Sequence, residues 1–397
     1  MNYSILVSEL PQDRDGLLFD VGSLYARLQT VPDQRKRRGI RYSLAFVLVA
    51  VLLAKLAGQD KPKGIAEWVR LRKDFFITLF KLQRPAMPHA VTYERLLETG
   101  VDAADVEQLG REFLTSLPHA GQSVQIAFDG KTLRGVLAPD PACKLHLLAA
   151  YLPTEGLVLF QVAVDSKTNE ITAAPELLKA LNLQGKIVTG DALHTQRNTS
   201  QLIGEAGGDY LWIAKENQPN LHGDIAQLFQ PEKCLPATSP VINDLRSVSV
   251  SEKNRGRLER RTLTTSSLLA ETTDWPYLTQ VFRLERVIQN LQTNHVSTKV
   301  VYGLTSLTAA EATPPRLLEI IRAHWGIESG LHYRRDVTLH EDQLHSKRTS
   351  LGRVMACLNN LIIGLVSRLG LTNLAQARRQ FDAHPDEAFK LLISCAI

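Results

Sequence analysis

The apolar positions follow two different rhythms along the chain, and the change falls near residue 121. Before it, a run from Leu44 to Ala54 is apolar without interruption and opens behind Ser43, a residue suited to cap a helix. The run is too short to span a bilayer and passes into Lys55 within the same helical pattern, so it predicts a buried core helix. Ile65 to Phe80 and Thr92 to Leu97 continue the helical reading, separated by the breaker Pro88. Residues 1–120 are expected to form an N-terminal helical domain.

From 121 onward the rhythm is that of strands. VQIAFDGKTL, KLHLLAAYLP and LVLFQVAVD are apolar runs separated by the turn-rich PDPAC and PTEG, which predicts consecutive antiparallel neighbours. A helical PELLKALN, a strand KIVTGDA, a helix around Thr199 to Ala206 and a strand DYLWIAK follow. Three strands, then helix, strand, helix, strand is the order of the ribonuclease H-like fold. Right-handed crossovers would set the strand bearing Asp191 beside the one bearing Asp129.

Residues 223–310 break this order with RSVSVSEKNRGRLERRTLTTSS, LTQVFRLERVI and VSTKVVYGLTSL, whose period-two alternation predicts a β-rich insertion. A helix is expected from near Pro315 through Glu328, and the stripe of Leu351, Val354, Met355, Leu358, Leu361, Ile362, Leu365, Val366 and Leu369 predicts a final core helix. The expected fold class is therefore α/β, with a ribonuclease H-like core in two parts, 121–222 and 311–397, around the insertion.

Composition narrows the function classes only slightly. The 397 residues are 44% apolar, which excludes wholesale disorder, and 46 basic against 41 acidic residues leave a net charge of +5. A pI near 8.9 is compatible with a polyanionic partner. Cys143, Cys234, Cys357 and Cys395 form no CxxC, so neither a zinc site nor a disulfide framework is suggested, and a reducing cytoplasm is the expected home. MNYSILVSEL lacks the basic start and apolar core of a signal peptide.

Three acidic residues stand out. Asp129 in IAFDGKTLRG and Asp191 in IVTGDALHTQ end strand-like runs, and Glu328 in RAHWGIESGLH sits on a helix. Carboxylates suit Mg²⁺ or Mn²⁺, and two such ions roughly 4 Å apart can both activate a water and stabilise a leaving oxygen in phosphodiester cleavage. Taken singly, each also reads as a turn, cap or solvated residue. Gly130, Lys131 and Thr132 do not make a nucleotide-binding loop, because Gln125 stands where the required glycine would be. His324, His332, His340 and His345 match no short zinc motif. Helical spacing predicts His324, Leu331, His332 and Arg335 near the face of Glu328, with Arg335 available either to hold a phosphate or to form a plain salt bridge. Arg35, Lys36, Arg37 and Arg38, followed by Arg41, Arg70, Arg72, Lys73, Lys81, Arg84 and Arg95, read equally as a solvated face or a DNA-contacting surface.

With these residues in hand, the chain resembles the DDE transposases of bacterial insertion sequences, specifically the H-repeat-associated group. The resemblance lies in DGKTLRG at 129–135, GDALHTQ at 190–196, GDYLWIAKENQPNL at 208–221, RGRLERR at 255–261 and RAHWGIESGLHYRRDVTLHED at 322–342, and RRGIRYSLAFVLVAVLLAKLAG with IAEWVR looks like the group's N-terminal domain. It implies Asp129, Asp191 and Glu328 as the catalytic, metal-holding triad, spaced by 191 minus 129, or 62, and 328 minus 191, or 137. It further implies two Mg²⁺ ions, with Mn²⁺ substituting, and hydrolysis of element ends followed by joining to target DNA. The implied partners are double-stranded terminal inverted repeats and target DNA, bound by a homodimer in the bacterial cytoplasm at the nucleoid, with no membrane. Lys131, Arg134, Lys215, Arg255, Arg257, His324 and Arg335 join Arg35 to Arg38 as expected DNA contacts. Where the broader superfamily carries Tyr, Arg and Lys around its glutamate, this chain has Ile321, His324 and Arg335. The other reading is a domesticated DNA-binding protein that occupies such ends without cutting.

Overall fold

The computed structural model of the chain describes residues 17–38, 40–83, 86–116, 121–136, 145–164, 169–230 and 244–394. Arg84, Cys143, Cys234 and Cys395 lie outside them.

Among the described residues six α-helices precede the sheet: α1 (Leu24–Thr30), α2 (Leu44–Leu56), α3 (Pro62–Leu71), α4 (Lys73–Phe80), α5 (Ala90–Arg95) and α6 (Ala103–Ser116). The Ser43 hydroxyl accepts the Phe46 N–H at 3.2 Å and starts α2, and every residue of α2 is buried, as an all-apolar helix requires. Lys55, enclosed in that helix, has the Asp60 carboxylate 3.4 Å from its ammonium as the counter-charge that offsets part of its desolvation.

The strands are β1 (Gln125–Thr132), β2 (His146–Leu152), β3 (Leu157–Val164), β4 (Ile187–Gly190), β5 (Asp209–Ala214), β6 (Arg246–Asn254), β7 (Arg257–Ser266), β8 (Gln280–Asn290) and β9 (Val296–Thr305). All nine form one sheet in the order β3-β2-β1-β4-β5-β9-β8-β7-β6. β1, β2 and β3 are antiparallel neighbours, while β4 lies parallel to β1 and β5 parallel to β4. The parallel steps are carried by α7 (Glu170–Lys179) and α8 (Arg197–Glu205). The strand leading to Asp191 is thus beside the strand bearing Asp129.

The later strands do not leave this sheet. After α9 (Pro219–Leu228), β6 to β9 run as a meander whose last strand pairs antiparallel with β5. Its near half packs Leu263, Phe282 and Leu284 on Leu317, Leu318, Ile320 and Ile321 of α10 (Pro314–His324), while its far half projects into solvent.

The C-terminal helices are α11 (Thr349–Arg368), α12 (Leu374–Ala383) and α13 (Pro385–Ile393). α11 is long and apolar enough to cross a membrane, but 83% of its apolar window is buried inside the protein, against α2, α6 and β3. α12 and α13 also pack on α2, so the first helices and the last ones share one apolar core that extends from Phe19 to Leu392.

Candidate active site

The register of β1 and β4 decides where the two aspartates sit. Gln125 pairs with Ile187, Ile126 with Val188 and Ala127 with Thr189, a constant offset of 62 (187 minus 125). Two residues further, the same offset matches Asp129 with Asp191. In a strand alternate side chains share a face, so Asp129 follows Gln125 and Ala127, and Asp191 follows Ile187 and Thr189, onto one side of the sheet. Neighbouring strands are about 4.8 Å apart, which sets the spacing of the two carboxylate-bearing positions.

α10 covers that side and is pinned to it by polar groups. The Gln125 amide donates to the Thr189 hydroxyl at 3.2 Å and to the Ile320 carbonyl at 2.9 Å, and Thr189 Oγ1 lies 3.0 Å from Nδ1 of His324. Burial pushes the His324 imidazole below its ordinary range, the charges of Asp129 and Asp191 pull it back up, and His194 lowers it again. The same imidazole therefore feels both aspartates.

β4 ends at Gly190 and Asp191 caps the turn Ala192–His194, its Oδ1 accepting the Leu193 N–H at 2.9 Å. β1 runs on through Thr132 with β2 alone as its partner, so Asp129 is mid-strand but stands where β4 has already ended. Asp129 Oδ1 accepts the Gly130 N–H at 2.9 Å, and Oδ2 is 3.1 Å from Nε2 of His332.

The helix expected from near Pro315 through Glu328 does reach Glu328, with a turn at Trp325 and a change of winding. α10 stops at His324, and the chain continues past Trp325 into two π-helical turns, Glu328–His332 and Arg334–Thr338. Because π-winding bonds i to i+5, the three- and four-residue spacing no longer defines a face. Glu328 is exposed, whereas Leu331 and Arg335 are fully buried.

That winding changes the reading of Arg335. Its Nε donates to Glu341 at 2.8 Å and its Nη1 to Gln161 at 3.3 Å, so the guanidinium is a buried salt bridge and not a surface hand for phosphate. Lys131 is likewise buried and ion-paired to Asp336, with Asp342 at 3.9 Å. His324 is buried at the helix–sheet seam. None of these three offers a free surface cation, because all three side chains are buried in the protein.

Other expected contacts are open to solvent. Lys215 is exposed in a cleft of about 430 Å³ with Ala192, Leu193, Asn217 and His222, and the Asn217 amide donates to the Ala192 carbonyl at 2.6 Å, so this cation borders the Asp191 turn. Arg134 is exposed beyond β1. Arg255, in the left-handed region at φ 45°, and Arg257 sit at the solvent-facing tip of the β6–β7 hairpin. Arg35 is tied to Asp33 at 2.6 Å and to the Tyr42 carbonyl, but Lys36, Arg37 and Arg38 are exposed. Lys36 and Arg38 join Arg35, Arg41 and Arg95 along a cavity of about 870 Å³ whose described lining residues include no carboxylate.

Among the described residues no three of His, Cys, Asp and Glu converge as a metal-holding group, so Glu328 stands apart from the aspartate pair. The donor chemistry still fits a hard divalent cation. Asp129 retains lone pairs on both oxygens, and neither Asp191 nor Glu328 has an ion-pair partner among the described residues.

A second polar group was not legible beforehand. Glu170, at the first turn of α7, receives His146 Nε2 at 2.7 Å on one oxygen and lies 3.0 Å from His194 Nε2 on the other. Burial alone would raise its carboxyl, but the hydrogen bonds and charges of the two histidines outweigh this and hold it at about 2. The only advance signal was His194, three residues after Asp191; nothing in KTNEIT marks Glu170.

A mixed α/β protein with two aspartates in register at the end of a parallel strand pair, and a glutamate on the helical segment that follows the covering helix, is the class these features define. The family model described as Transposase DDE domain matches residues 120–363, and the one described as DDE_Tnp_1-associated matches residues 25–114. The chain belongs to the DDE transposase family. It is 25% identical over 354 residues to the Escherichia coli K12 protein named "H repeat-associated putative transposase YhhI", covering 88% of this chain and 91% of that protein. It is 26% identical over 361 residues to "Putative transposase YncI" of Escherichia coli O157:H7, covering 87% of each. A cryo-EM structure of the piggyBac transposase synaptic complex with hairpin DNA aligns over 90% of this chain and 76% of its own at 11% identity and a TM-score of 0.45.

Proposed function

We propose that this chain is an active DDE transposase that cuts the ends of its element and joins them to target DNA, with Asp129, Asp191 and Glu328 as the residues that hold its metal ions. The observation that carries the reading is the shared 62-residue offset that matches Asp129 with Asp191 on the sheet face covered by α10. The order β3-β2-β1-β4-β5 supports a ribonuclease H-like core, with the β6–β9 meander as the insertion before Glu328.

Two Mg²⁺ ions, with Mn²⁺ as a substitute, would supply an activated water and charge stabilisation for the leaving oxygen. The chain supplies the rest. Asp129, mid-strand in β1, and Asp191, in the turn just past β4, provide two carboxylates, and Glu328, which stands apart from them here, would bring a third from the π-helical segment. His332 orients the Asp129 carboxylate. Lys215 at the Asp191 turn holds the scissile strand by its phosphates, while Lys36, Arg38, Arg41 and Arg95 hold the flanking duplex, and two copies pair two ends.

The test is incubation of labelled duplex carrying the element's own ends with Mg²⁺ or Mn²⁺, comparing wild type with Asp129→Asn, Asp191→Asn and Glu328→Gln. Cleavage and strand-transfer products that vanish in each variant, with end binding retained, support the proposal. Binding with no cleavage by any of the four proteins would point instead to the domesticated DNA-binding reading.

A further inference from the structure

The face of β1 and β4 opposite α10 carries its own charged group directly beneath the aspartates. Gly130 follows Asp129 and so faces the other way, and a Cβ there would collide with the Glu170 carboxylate and come within 2.5 Å of His146 Nε2. Gly190, before Asp191, is similarly confined: a Cβ would sit 2.8 Å from the Trp212 ring and 3.0 Å from His194 Cβ. The two glycines beside the aspartates are thus both fitted to the ground occupied by this cluster.

The cluster spans three elements. His146 opens β2 and is fixed by Thr132 Oγ1, 2.9 Å from its Nδ1. Glu170 opens α7, held by the Asn169 cap that accepts the Thr172 N–H. His194 closes the turn that Asp191 caps, is almost wholly buried, and packs edge-on to Phe128 with ring centroids 6.3 Å apart. Glu170 bridges the two imidazoles with one oxygen each, so the Asp191 turn is tied through His194 and Glu170 to the strand that pairs with β1. Among the described residues neither His194 nitrogen makes a hydrogen bond of good geometry, so Nε2 meets Glu170 as a 3.0 Å charge contact.

We propose that the His146–Glu170–His194 bridge is a positioning element that holds the Asp191 turn in register with Asp129, and so presets the divalent-cation site from behind the sheet. The inference rests on the proposed function, since it assumes a cation at Asp129 and Asp191. Glu170 touches no reacting group and acts only through His194 and the turn. Partners of this kind, one shell behind the ligands, commonly change metal affinity by ~10–100-fold when removed.

The test is Mn²⁺ binding to the full chain without DNA, read by electron paramagnetic resonance titration, alongside the thermal midpoint and duplex-end binding. Wild type and Asp129→Asn establish whether a cation binds at the aspartates at all. Glu170→Ala is expected to weaken Mn²⁺ by ~10–100-fold with end binding unchanged, Glu170→Gln to fall between, and Gly130→Ala to resemble Glu170→Ala by displacing the carboxylate. If wild type binds Mn²⁺ and Asp129→Asn does not, but Glu170→Gln and Glu170→Ala bind it within twofold of wild type, the positioning role is overturned and the metal site stands. If Glu170→Ala fails to fold, Glu170→Gln and Gly130→Ala decide by the same criterion. If wild type itself binds no Mn²⁺, the metal-site reading fails and takes this inference with it.

Discussion

Nε2 of His332 lies 3.1 Å from Oδ2 of Asp129 across 203 residues of sequence, joining the π-helical segment to the middle of β1. The contact makes the segment that bears Glu328 dependent on the aspartate it must approach. His332→Ala is expected to lower metal-dependent end cleavage by ~10–100-fold, and His332→Gln, which keeps a donor, by less. Single-turnover cleavage assays check this; full activity in His332→Ala would remove His332 from the site.

The His324 imidazole reports on both aspartates. Its folded-state value lies below the ordinary range, so its contribution to stability is fully present above about 6.5, the unfolded value, and is lost as pH falls from there through the folded value. Replacing Asp191 by Asn removes one of the charges that raise it, so its titration should move lower still. Ring-proton NMR titration of wild type and Asp191→Asn measures the shift, and an upward move would contradict the placement of Asp191 beside His324.

Gln125 bonds across the seam to Thr189 and to the Ile320 carbonyl. Gln125→Leu should cost about 1–3 kcal/mol, because it strips a buried donor from two acceptors. Denaturant unfolding gives the loss, and cleavage should fall with it as α10 loosens over the aspartates.

Arg335 is expected to matter for stability and not for DNA contact. Arg335→Ala leaves Glu341 buried without its cation and should cost about 3–5 kcal/mol. Thermal melting registers that loss, while the salt dependence of end binding by the folded fraction stays as in wild type. A shallower salt slope would return Arg335 to the DNA interface.

The groove lined by Lys36, Arg38, Arg41 and Arg95 makes the opposite prediction. Each cation that meets a phosphate adds about 0.9 to the slope of log affinity against log salt, so Arg38→Ala and Arg41→Ala should each flatten it by about that much with little change in melting temperature. Fluorescence anisotropy of a labelled duplex across a salt series gives the slopes. Unchanged slopes in both variants would make this a solvated face.

By itself the sequence determined the local elements and the acids they carry. Short apolar runs, IAF in β1 and IV in β4, mark the buried parts of those strands, Ser43 marks the start of α2 because its hydroxyl caps a helix, and the stripe on α11 follows from helical periodicity. The five ordered motifs were sufficient for the family. Only the tertiary structure decided how distant residues meet. Nothing near Arg335 foretold Glu341 and Gln161 as partners, or that π-winding would turn Glu328 outward while Arg335 turned in. Glu170 reads locally as a helix-start acid and becomes a bridge only when β2 and the Asp191 turn bring His146 and His194 to it. Local preference depends on a few adjacent residues and is written along the chain. The partners of a buried charge are chosen by long-range packing, where desolvation must be compensated by whichever group the fold places within hydrogen-bond reach.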